Sequence, residues 1–425
     1  MPRQFAAAEL SESLRESNRK ILRDTLLRVS LFFFGGKYQK GVGVLIKVVE
    51  AISDTNIGGA GVLLINRLKH TDNAIFDTTV VLPQGSDLIP MLNGIGVKVV
   101  CTKYCCDKSF DLGGVREYIG ILKDLRPDII NAHGCLSARV AARFSRVPLR
   151  LYTRHCVYPV GRIYKSSVVR YAFGALSNAL SDRTIAVAYS ASKNLTDMGM
   201  EKGKICVVIN GAEPIRELSD DEKKSFRKSL AISKEDFVVL ICARLEKCKD
   251  HETFLRAAAI LLEDSCRYKF IILGSGSQEN SLKAMCRDLK INDYVIFAGF
   301  AHDIAPYMNV CDLNVNCSVG TETSSLALSE GMSIGKVCVA SDYGGNPYMV
   351  NDGVNGYLYR AGDCEDLALK IKLVAAFKKN DPSKYESLCA ESKKRYESEL
   401  NSLAMSNKIQ RLYIELLEAK KERPR

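Results

Sequence analysis

Short apolar runs alternate with longer segments of helical spacing along this chain, from Leu45 nearly to its end. Runs of about four to eight aliphatic and β-branched residues predict buried strands, and the segments between them predict helices. Strands that alternate with helices in this way predict a parallel sheet with helices on both faces. In the first half of the chain the predicted strands are residues 45–51, 76–83, 97–102, 127–133, 149–155, 183–190 and 205–214.

The same pattern begins again after Ser219, which forms with Glu222 the signature of a capping box and opens a predicted helix. We therefore expect an α/β fold of two Rossmann-like, doubly wound parallel-sheet domains that face a cleft and are hinged near Ile215. In the second half the predicted strands are residues 237–245, 269–277, 294–300, 312–317, 336–341 and 353–359.

The pattern divides the chain into a leader, residues 1–44, an N-terminal domain, residues 45–215, a C-terminal domain, residues 216–383, and a charged helical segment, residues 384–425. Three interpretations of the leader remain open, namely an added helix, a poorly ordered tail and an overlong start to the reading frame.

Composition is that of an ordinary globular protein, with 47% apolar and 26% charged residues. The 15 cysteines are odd in number and show neither a C-x-x-C pair nor zinc-ligand spacing, which predicts reduced thiols and a cytoplasmic protein. The apolar run 29–36 is too short to span a bilayer. Any membrane contact is therefore expected to be peripheral, at the inner face of the cell membrane.

The net charge of +11 is unevenly distributed, because no acidic residue occurs between Ile129 and Ser181. Arginines interleave there with aromatic residues, a combination suited to anionic lipid headgroups or an acidic acceptor. An ordinary helix surface with a chance lack of acids is the competing interpretation, and no nucleic-acid-binding motif is present. The residues assigned to this acceptor or membrane face are Arg143, Arg146, Arg150, Arg154 and His155.

Two cations follow the first strand of the second half. Arg244 stands at the predicted strand end, and Lys249 lies a few residues later in the loop. Two such cations are suited to hold a diphosphate and to neutralise charge on a leaving group. Taken alone, the pair is more often two solvated loop charges.

Two glutamates eight residues apart mark the stretch 318–347. Glu322 is predicted in a loop at the carboxyl end of a strand, and Glu330 on the helix that follows. Carboxylates accept hydrogen bonds from vicinal diols, and the helix N-terminus near Ser324 and Ser325 offers N–H groups to a phosphate. Taken alone, this spacing is common by chance.

The first half adds a glycine loop, Gly58–Gly59, after its first strand, and a histidine at the ends of two strands, His133 and His155. The loop allows a phosphate or an acceptor to approach the backbone closely. Either histidine alone is more often a structural residue than a ligand-binding one.

In their order and spacing these motifs resemble the retaining GT-B glycosyltransferases of family 4 (glycosyl transferases group 1). The resemblance runs from about Leu45 to the C-terminal helix. The segments that carry it are R-L-x-x-x-K at 244–249, E-x7-E at 322–330 with its sequels GMSIGKVCVAS and DYGG, His133–Gly134, and VINGAEP at 208–214.

The resemblance implies a role for each site residue. Arg244 and Lys249 would bind the donor diphosphate, Glu322 the hydroxyls of the transferred sugar, and Glu330 the ribose. His133 would lie near the donor sugar, and Gly58 and Gly59 would line the donor phosphate and acceptor side. No metal or other cofactor is implied, and the C-terminal helix would cross back to the N-terminal domain.

The chain departs from the family after Glu322, where Thr323, Ser324 and Ser325 replace the usual glycine-containing sequence. Their hydroxyls would stand beside the donor sugar, so the identity of that sugar is left open.

We therefore expect a metal-independent hexosyltransferase that moves a sugar from a nucleoside-diphosphate sugar to a glycan or lipid-linked acceptor in cell-surface polysaccharide or glycolipid synthesis. One alternative is a nucleotide-sugar hydrolase or epimerase of the same fold, which needs an acidic base in the cleft of the first domain. The other is a non-catalytic module that binds nucleotide-sugars or glycans. The acceptor, its linkage and the oligomeric state stay open.

Overall fold

The computed structural model describes residues 45–157, 166–263 and 267–422, so the predicted leader lies outside the described residues. The first domain contains a seven-stranded parallel sheet in the order β3-β2-β1-β4-β5-β6-β7. Its strands are β1 (Ile46–Ile52), β2 (Phe76–Pro83), β3 (Lys98–Thr102), β4 (Ile129–His133), β5 (Leu149–Arg154), β6 (Arg183–Ala186) and β7 (Ile205–Val207).

Helices cover both faces of this sheet, and apolar side chains from strands and helices form its core. They are α1 (Gly59–Leu68), α2 (Ile89–Gly94), α3 (Leu112–Leu125), α4 (Leu136–Phe144), α5 (Ser167–Leu180) and α6 (Tyr189–Asp197).

The second domain contains a six-stranded parallel sheet in the order β10-β9-β8-β11-β12-β13. Its strands are β8 (Phe237–Cys242), β9 (Tyr268–Leu273), β10 (Val295–Gly299), β11 (Leu313–Asn316), β12 (Val337–Ser341) and β13 (Gly356–Tyr359). Its helices are α7 (Asp220–Ser229), α8 (His251–Leu262), α9 (Glu279–Asp288), α10 (Ala305–Val310), α11 (Leu326–Ser333), α12 (Asn346–Met349), α13 (Cys364–Asn380) and α14 (Pro382–Arg395). The predicted fold of two doubly wound parallel-sheet domains is confirmed.

The chain crosses between the domains a second time near its end. Helix α14 packs on the second domain, a π-helical turn follows at Tyr396–Leu400, and α15 (Ser402–Lys421) packs on the first. This crossing runs beside the first one, because the amide of Ala212 donates to the carbonyl of Leu400 (2.9 Å) and the amide of Ser402 donates to the carbonyl of Ala212 (3.0 Å). The chain therefore returns to the first domain at the π-helical turn, about fifteen residues after residue 384, where the predicted C-terminal segment begins.

Strand order reverses once in each sheet, between β1 and β4 in the first and between β8 and β11 in the second. Ligands bind in open α/β sheets at the carboxyl ends of the strands beside such a reversal. The four loops that leave these strands carry Asp54, Gly134, Lys249 and Glu322. This topology places the candidate residues of both halves at the corresponding edges of the two sheets.

Across the described ranges, no helix combines the length and the apolar character that crossing a membrane requires.

Candidate active site

A buried ion pair lies at the edge of the second sheet. The Lys249 ammonium is 2.7 Å from Oε2 of Glu322, and the two side chains are 19% and 6% exposed. The hydroxyl of Ser318 (2.7 Å) and the amide of Asn316 (3.3 Å) donate to the same oxygen. Burial alone would raise the pKa of Glu322, but the charge and the hydrogen bonds of Lys249, Ser318 and Asn316 lower it. Glu322 is therefore an ionised hydrogen-bond acceptor and not a general acid.

The backbone fixes the two loops that carry this pair. The amides of Val319 and Gly320 donate to the carbonyl of Cys248 at 3.0 and 3.3 Å, which ties the loop after β11 to the turn at Lys247–Lys249. On the other side, a Cβ atom on Gly345 would lie 1.4 Å from the carbonyl oxygen of Thr323. The Gly-Gly turn is thus required by close packing against the loop of Glu322.

Glu330 lies on α11 in a different environment. Among the described residues its carboxylate has no hydrogen-bond or ion-pair partner, and burial raises its pKa from 4.5 to about 7. It lies near the end of β8, because its charge acts on Cys242 there. An unpaired, half-buried carboxylate beside a cleft is suited to accept hydrogen bonds from hydroxyl groups of a ligand.

Arg244 is exposed and follows β8 by two residues. Burial raises the pKa of the Cys156 thiol in the first domain, and the positive charges of Arg154, Arg244 and Lys249 oppose that rise. The cations of the second domain are therefore within electrostatic range of the first domain across the cleft.

The hydroxyl groups of the three residues after Glu322 form hydrogen bonds within the protein and do not line an open sugar site. Thr323 donates to the carbonyl of His155 (3.2 Å) and Ser324 to that of Val187 (3.5 Å), both in the first domain. Ser325 caps α11 by accepting from the amide of Leu328 (3.3 Å). In this structure Thr323 and Ser324 join the two domains at the cleft.

The glycine loop of the first domain opens α1, with Gly58 as the N-cap residue. A Cβ atom on Gly59 would have no neighbour within 4 Å, whereas one on Gly61 would collide with Leu88 at 2.6 Å. Gly58 and Gly59 therefore leave the cleft side of the helix open, and Gly61 is the glycine that packing requires. Asp54 precedes them, and burial together with the charge of Asp107 raises its pKa.

A fully buried polar network that the sequence pattern does not predict lies beneath these loops. Glu50 on β1 forms an ion pair with Arg67 (2.6 Å) and accepts hydrogen bonds from Tyr413 (2.8 Å), Asn131 (3.0 Å) and His133 (2.8 Å). Burial raises the pKa of Glu50, and the charge of Arg67 with the hydrogen bonds of His133 and Tyr413 brings it below its usual value. The network connects the C-terminal helix to the strand that ends at His133.

His133 connects this buried network to His155 at the cleft. Its Nε2 faces Glu50, and its Nδ1 is 2.7 Å from Nε2 of His155. Burial, followed by the charges of His133 and Arg67, holds the pKa of His155 well below its usual value. Nε2 of His133 donates to the carboxylate of Glu50, and Nδ1 of the same ring is in hydrogen-bond contact with Nε2 of His155. Both imidazoles are thereby held in one orientation at the wall of a cavity in the first domain.

The Glu50 network gives a prediction for stability. Glu50→Gln is expected to lower the free energy of unfolding of the first domain by about 3–5 kcal/mol, because Arg67 is left buried without a counter-charge. Thermal denaturation of Glu50→Gln and of the matched double variant Glu50→Gln/Arg67→Gln measures this. The double variant should recover part of the loss. Equal melting temperatures for Glu50→Gln and the wild type would contradict the interpretation.

The structure does not bring the five residues of the predicted basic face together on one surface. Arg143 and Arg146 are exposed at the end of α4. Arg150 instead pairs with Asp182 through two hydrogen bonds of 3.2 and 3.0 Å. Arg154 and His155 line the cavity of the first domain. Arg143 and Arg146 therefore remain as candidates for a surface contact.

Two family models match this chain. The model described as Glycosyltransferase Family 4 matches residues 57–216, and the model described as Glycosyl transferases group 1 matches residues 222–394. Each match falls on one of the two domains.

Among characterised proteins, the chain is 22% identical over 385 residues to the UDP-Gal:alpha-D-GlcNAc-diphosphoundecaprenol alpha-1,3-galactosyltransferase of Escherichia coli, a match that covers 88% of this chain and 97% of that protein. It is 27% identical over 273 residues to the alpha-monoglucosyldiacylglycerol synthase of Streptococcus pneumoniae, covering 60% of each chain. The crystal structure of Anabaena HepE in complex with UDP and glucose superimposes with a TM-score of 0.74 at 20% identity, covering 87% of this chain and all of that one.

Proposed function

Because the chain belongs to the GT-B glycosyltransferases of family 4, we propose that it transfers a hexose from a nucleoside-diphosphate sugar to a glycan or lipid-linked acceptor, with retention of the anomeric configuration. The reaction would serve the synthesis of a cell-surface polysaccharide or glycolipid. A relative that acts on a diphosphoundecaprenol-linked sugar and one that synthesises alpha-monoglucosyldiacylglycerol support an acceptor of this kind.

The observation that carries this proposal is the contrast between the two glutamates of the second domain. Glu322 is ionised and held by Lys249, whereas Glu330 is unpaired with its pKa raised to about 7. Both carboxylates can accept hydrogen bonds from hydroxyl groups of a ligand. Glu322 is the acceptor for the transferred sugar and Glu330 for the ribose.

In this proposal Arg244 and Lys249 bind the diphosphate and stabilise the negative charge that develops on it as the sugar departs. The acceptor hydroxyl attacks from the face that the diphosphate leaves, and its proton passes to a diphosphate oxygen. The two side chains supply the positive charge that a divalent cation supplies in other transferases, so the proposal includes no metal. His133, held by Glu50, lies on the sugar side of the cleft.

The proposed function is tested directly by an assay of sugar transfer. Nucleoside-diphosphate sugars that raise the melting temperature are incubated with the protein and a lipid-linked or glycan acceptor in the presence of EDTA. A new glycoside with the anomeric configuration of the donor is the expected product. An inverted product, or transfer that requires a divalent cation, would contradict this part of the proposal.

A hydrolase or epimerase of the same fold is the second candidate, and Asp54 is the observation in its favour. This carboxyl lines the cavity of the first domain, and its pKa is raised by burial and by Asp107, as a general base for water or for a sugar proton would require. Incubation of the donor without an acceptor distinguishes the two functions. Rapid release of free sugar, or an epimerised donor, that is lost in Asp54→Asn would favour this candidate over transfer.

We also propose that the protein works at an anionic membrane surface. Arg143, Phe144 and Arg146 are exposed together at the end of α4, and Val168 and Tyr171 are exposed on α5, which contacts α4. Cations beside exposed apolar side chains suit the headgroup region of anionic lipids.

Neutralising two of these cations tests the surface. Arg143→Gln/Arg146→Gln is expected to weaken binding to phosphatidylglycerol-containing vesicles by about thirtyfold, since each arginine near such a surface contributes about 1 kcal/mol. Vesicle flotation measures the change. The matched control is Arg256→Gln/Arg287→Gln, two exposed arginines of the second domain. Equal loss in both double variants would indicate general charge attraction and not a specific face.

A further inference from the structure

Arg139 on α4 is a buried cation that no carboxylate neutralises among the described residues. It is 8% exposed, and its Nε donates to the hydroxyl of Ser181 (3.1 Å) and its Nη2 to the carbonyl of Ser177 (3.3 Å). Its guanidinium lies over the ring of Tyr152, 4.2 Å from the centroid. Burial lowers the pKa of Arg139, Tyr152 opposes that change, and the charge of Arg154 adds to it.

Among the described residues, the groups that contact this guanidinium carry no negative charge, and the charge of Arg154 repels it. A buried charge without a counter-charge is costly. A protein retains such a charge to advantage where a ligand supplies the counter-charge. Arg139 differs in this from Arg67, another buried arginine of the first domain, which has Glu50 as its partner.

A cavity of about 400 Å³ lies against Arg139 at the carboxyl ends of β4 and β5. Arg154 lines the same cavity and donates to the hydroxyl of Tyr152 at 3.1 Å, so two guanidinium groups flank one tyrosine. Asp54 also lines the cavity, but the groups that shift its pKa besides burial are Asp107 and His133 and not either arginine. The charge of this end of the cavity is positive.

The wall that helix α5 forms beside Arg139 is apolar. Helix α5 contributes Phe173, Leu176 and Leu180 to the lining, and Leu176 is 57% exposed at the edge of the cavity. The same helix carries Tyr171, exposed beyond the cavity. A ligand that fills the space thus meets cations at the strand ends and aliphatic side chains along α5.

We propose that this cavity binds a phosphate group of the acceptor, with Arg139 as its main counter-charge, and that the wall from α5 takes an aliphatic chain attached to that phosphate. The planar fork of a guanidinium pairs with two phosphate oxygens at once. The acceptor is accordingly a phosphorylated amphiphile, and the hydroxyl that receives the sugar extends from its phosphate towards His133 and the cleft. This inference rests on the proposed function and specifies its acceptor side.

Calorimetric titration with octyl phosphate, below the concentration at which it forms micelles, tests the site. The protein is first saturated with UDP so that the donor site does not take up the probe. Octyl phosphate is expected to bind the wild type, and Arg139→Met to weaken that binding by about 10- to 100-fold. Arg139→Lys, which keeps the charge and loses the fork, should give a smaller loss.

Two measurements separate ligand binding from a structural role. Arg139→Met should melt within about 2 °C of the wild type, because removing the desolvation cost of the buried charge offsets the loss of its two hydrogen bonds and its cation–π contact. The exposed Arg287→Met is the matched control and should bind octyl phosphate like the wild type. In a transfer assay Arg139→Met should raise KM for the acceptor and leave UDP binding unchanged, so that a failure here is distinct from a failure of the donor site.

Three other outcomes would each contradict one part of this proposal. Inorganic phosphate that binds as tightly as octyl phosphate would overturn the amphiphile and leave a plain anion site. If octyl glucoside binds equally well to the wild type and to Arg139→Met, and octyl phosphate does not bind, the claim that the cavity recognises a phosphate group would be contradicted. A large loss of melting temperature in both Arg139→Met and Arg139→Lys would make Arg139 a structural residue.

Discussion

Replacing Lys249 by methionine is expected to lower the rate of sugar transfer by about 10²- to 10³-fold. In the proposed mechanism its ammonium stabilises the charge that develops on the departing diphosphate, and removing one such contact has an effect of this size in other enzymes. The same ammonium holds Glu322, from 2.7 Å, in the orientation that the donor sugar requires. Loss of Lys249 therefore affects both the leaving group and the sugar.

The experiment needs a variant that separates chemistry from folding. Lys249→Met alone leaves the Glu322 carboxylate buried without its counter-charge, which costs about 3–5 kcal/mol of stability. Lys249→Met/Glu322→Gln removes both charges and should regain much of the melting temperature without regaining transfer. Lys247→Met is the matched control, since Lys247 is exposed in the same short turn. Activity in the double variant close to that of Lys247→Met would show that the ion pair has no catalytic role.

Replacing Glu330 by glutamine is expected to weaken donor binding by about 10- to 100-fold at pH 8 and to remove most of its pH dependence. In the free protein, burial raises the pKa of Glu330 from 4.5 to about 7. Ribose hydroxyls donate to the ionised carboxylate and so favour that form. Below about pH 7, binding must therefore release a proton, and affinity should fall by up to tenfold per pH unit.

The raised pKa of Glu330 also predicts how the stability of the fold changes with pH. Because the folded-state pKa is the higher one, the contribution of Glu330 to stability is present below about pH 4.5 and is lost as the pH rises to about 7.

Calorimetric titration tests the predicted pH dependence of donor binding. A nucleotide-sugar is a better titrant than UDP, since its diphosphate does not titrate in this range. Calorimetry at pH 6 and pH 8, on wild type and Glu330→Gln, gives the comparison. A wild-type affinity that is equal at both values would remove Glu330 from the ribose site.

Much of the fold follows from local patterns. The strand predicted at residues 76–83 is β2 as observed, because an apolar run between turn signals marks a buried parallel strand. The strand predicted at residues 205–214 is limited to Ile205–Val207. Val208 and Ile209 are apolar because they pack near the C-terminal crossing and not because they continue the sheet. Apolar character alone does not distinguish a residue within a sheet strand from a residue that packs at the crossing between domains.

The proximity of Lys249 to Glu322 was predictable, although they lie 73 residues apart, because each follows a strand end of the same sheet. The Glu50 network was not, since it joins strand β1 to Tyr413, more than 360 residues away. A signal for it exists in the run IKVVEAI, where a glutamate interrupts an otherwise apolar buried strand. A buried charge of that kind requires a partner, although the sequence does not say which.

The basic face illustrates the limit of counting charges along a chain. The segment without acids ends at Ser181, and Asp182, the next residue, pairs with Arg150. Similarly, the replacement of glycines by Thr323 and Ser324 was visible in the sequence, but the first-domain carbonyls that accept from their hydroxyls were not. Partners that lie across the cleft depend on how the two domains meet.

The central claim is that the cleft holds a nucleoside-diphosphate sugar through Lys249, Arg244 and the two glutamates. Thermal denaturation with a panel of nucleoside-diphosphate sugars, on wild type, Lys247→Met and Lys249→Met/Glu322→Gln, tests it most directly. We predict that at least one donor raises the melting temperature of the wild type and of Lys247→Met by several degrees and leaves the double variant unchanged. The claim is contradicted if no donor stabilises the wild type, or if the double variant is stabilised to the same extent.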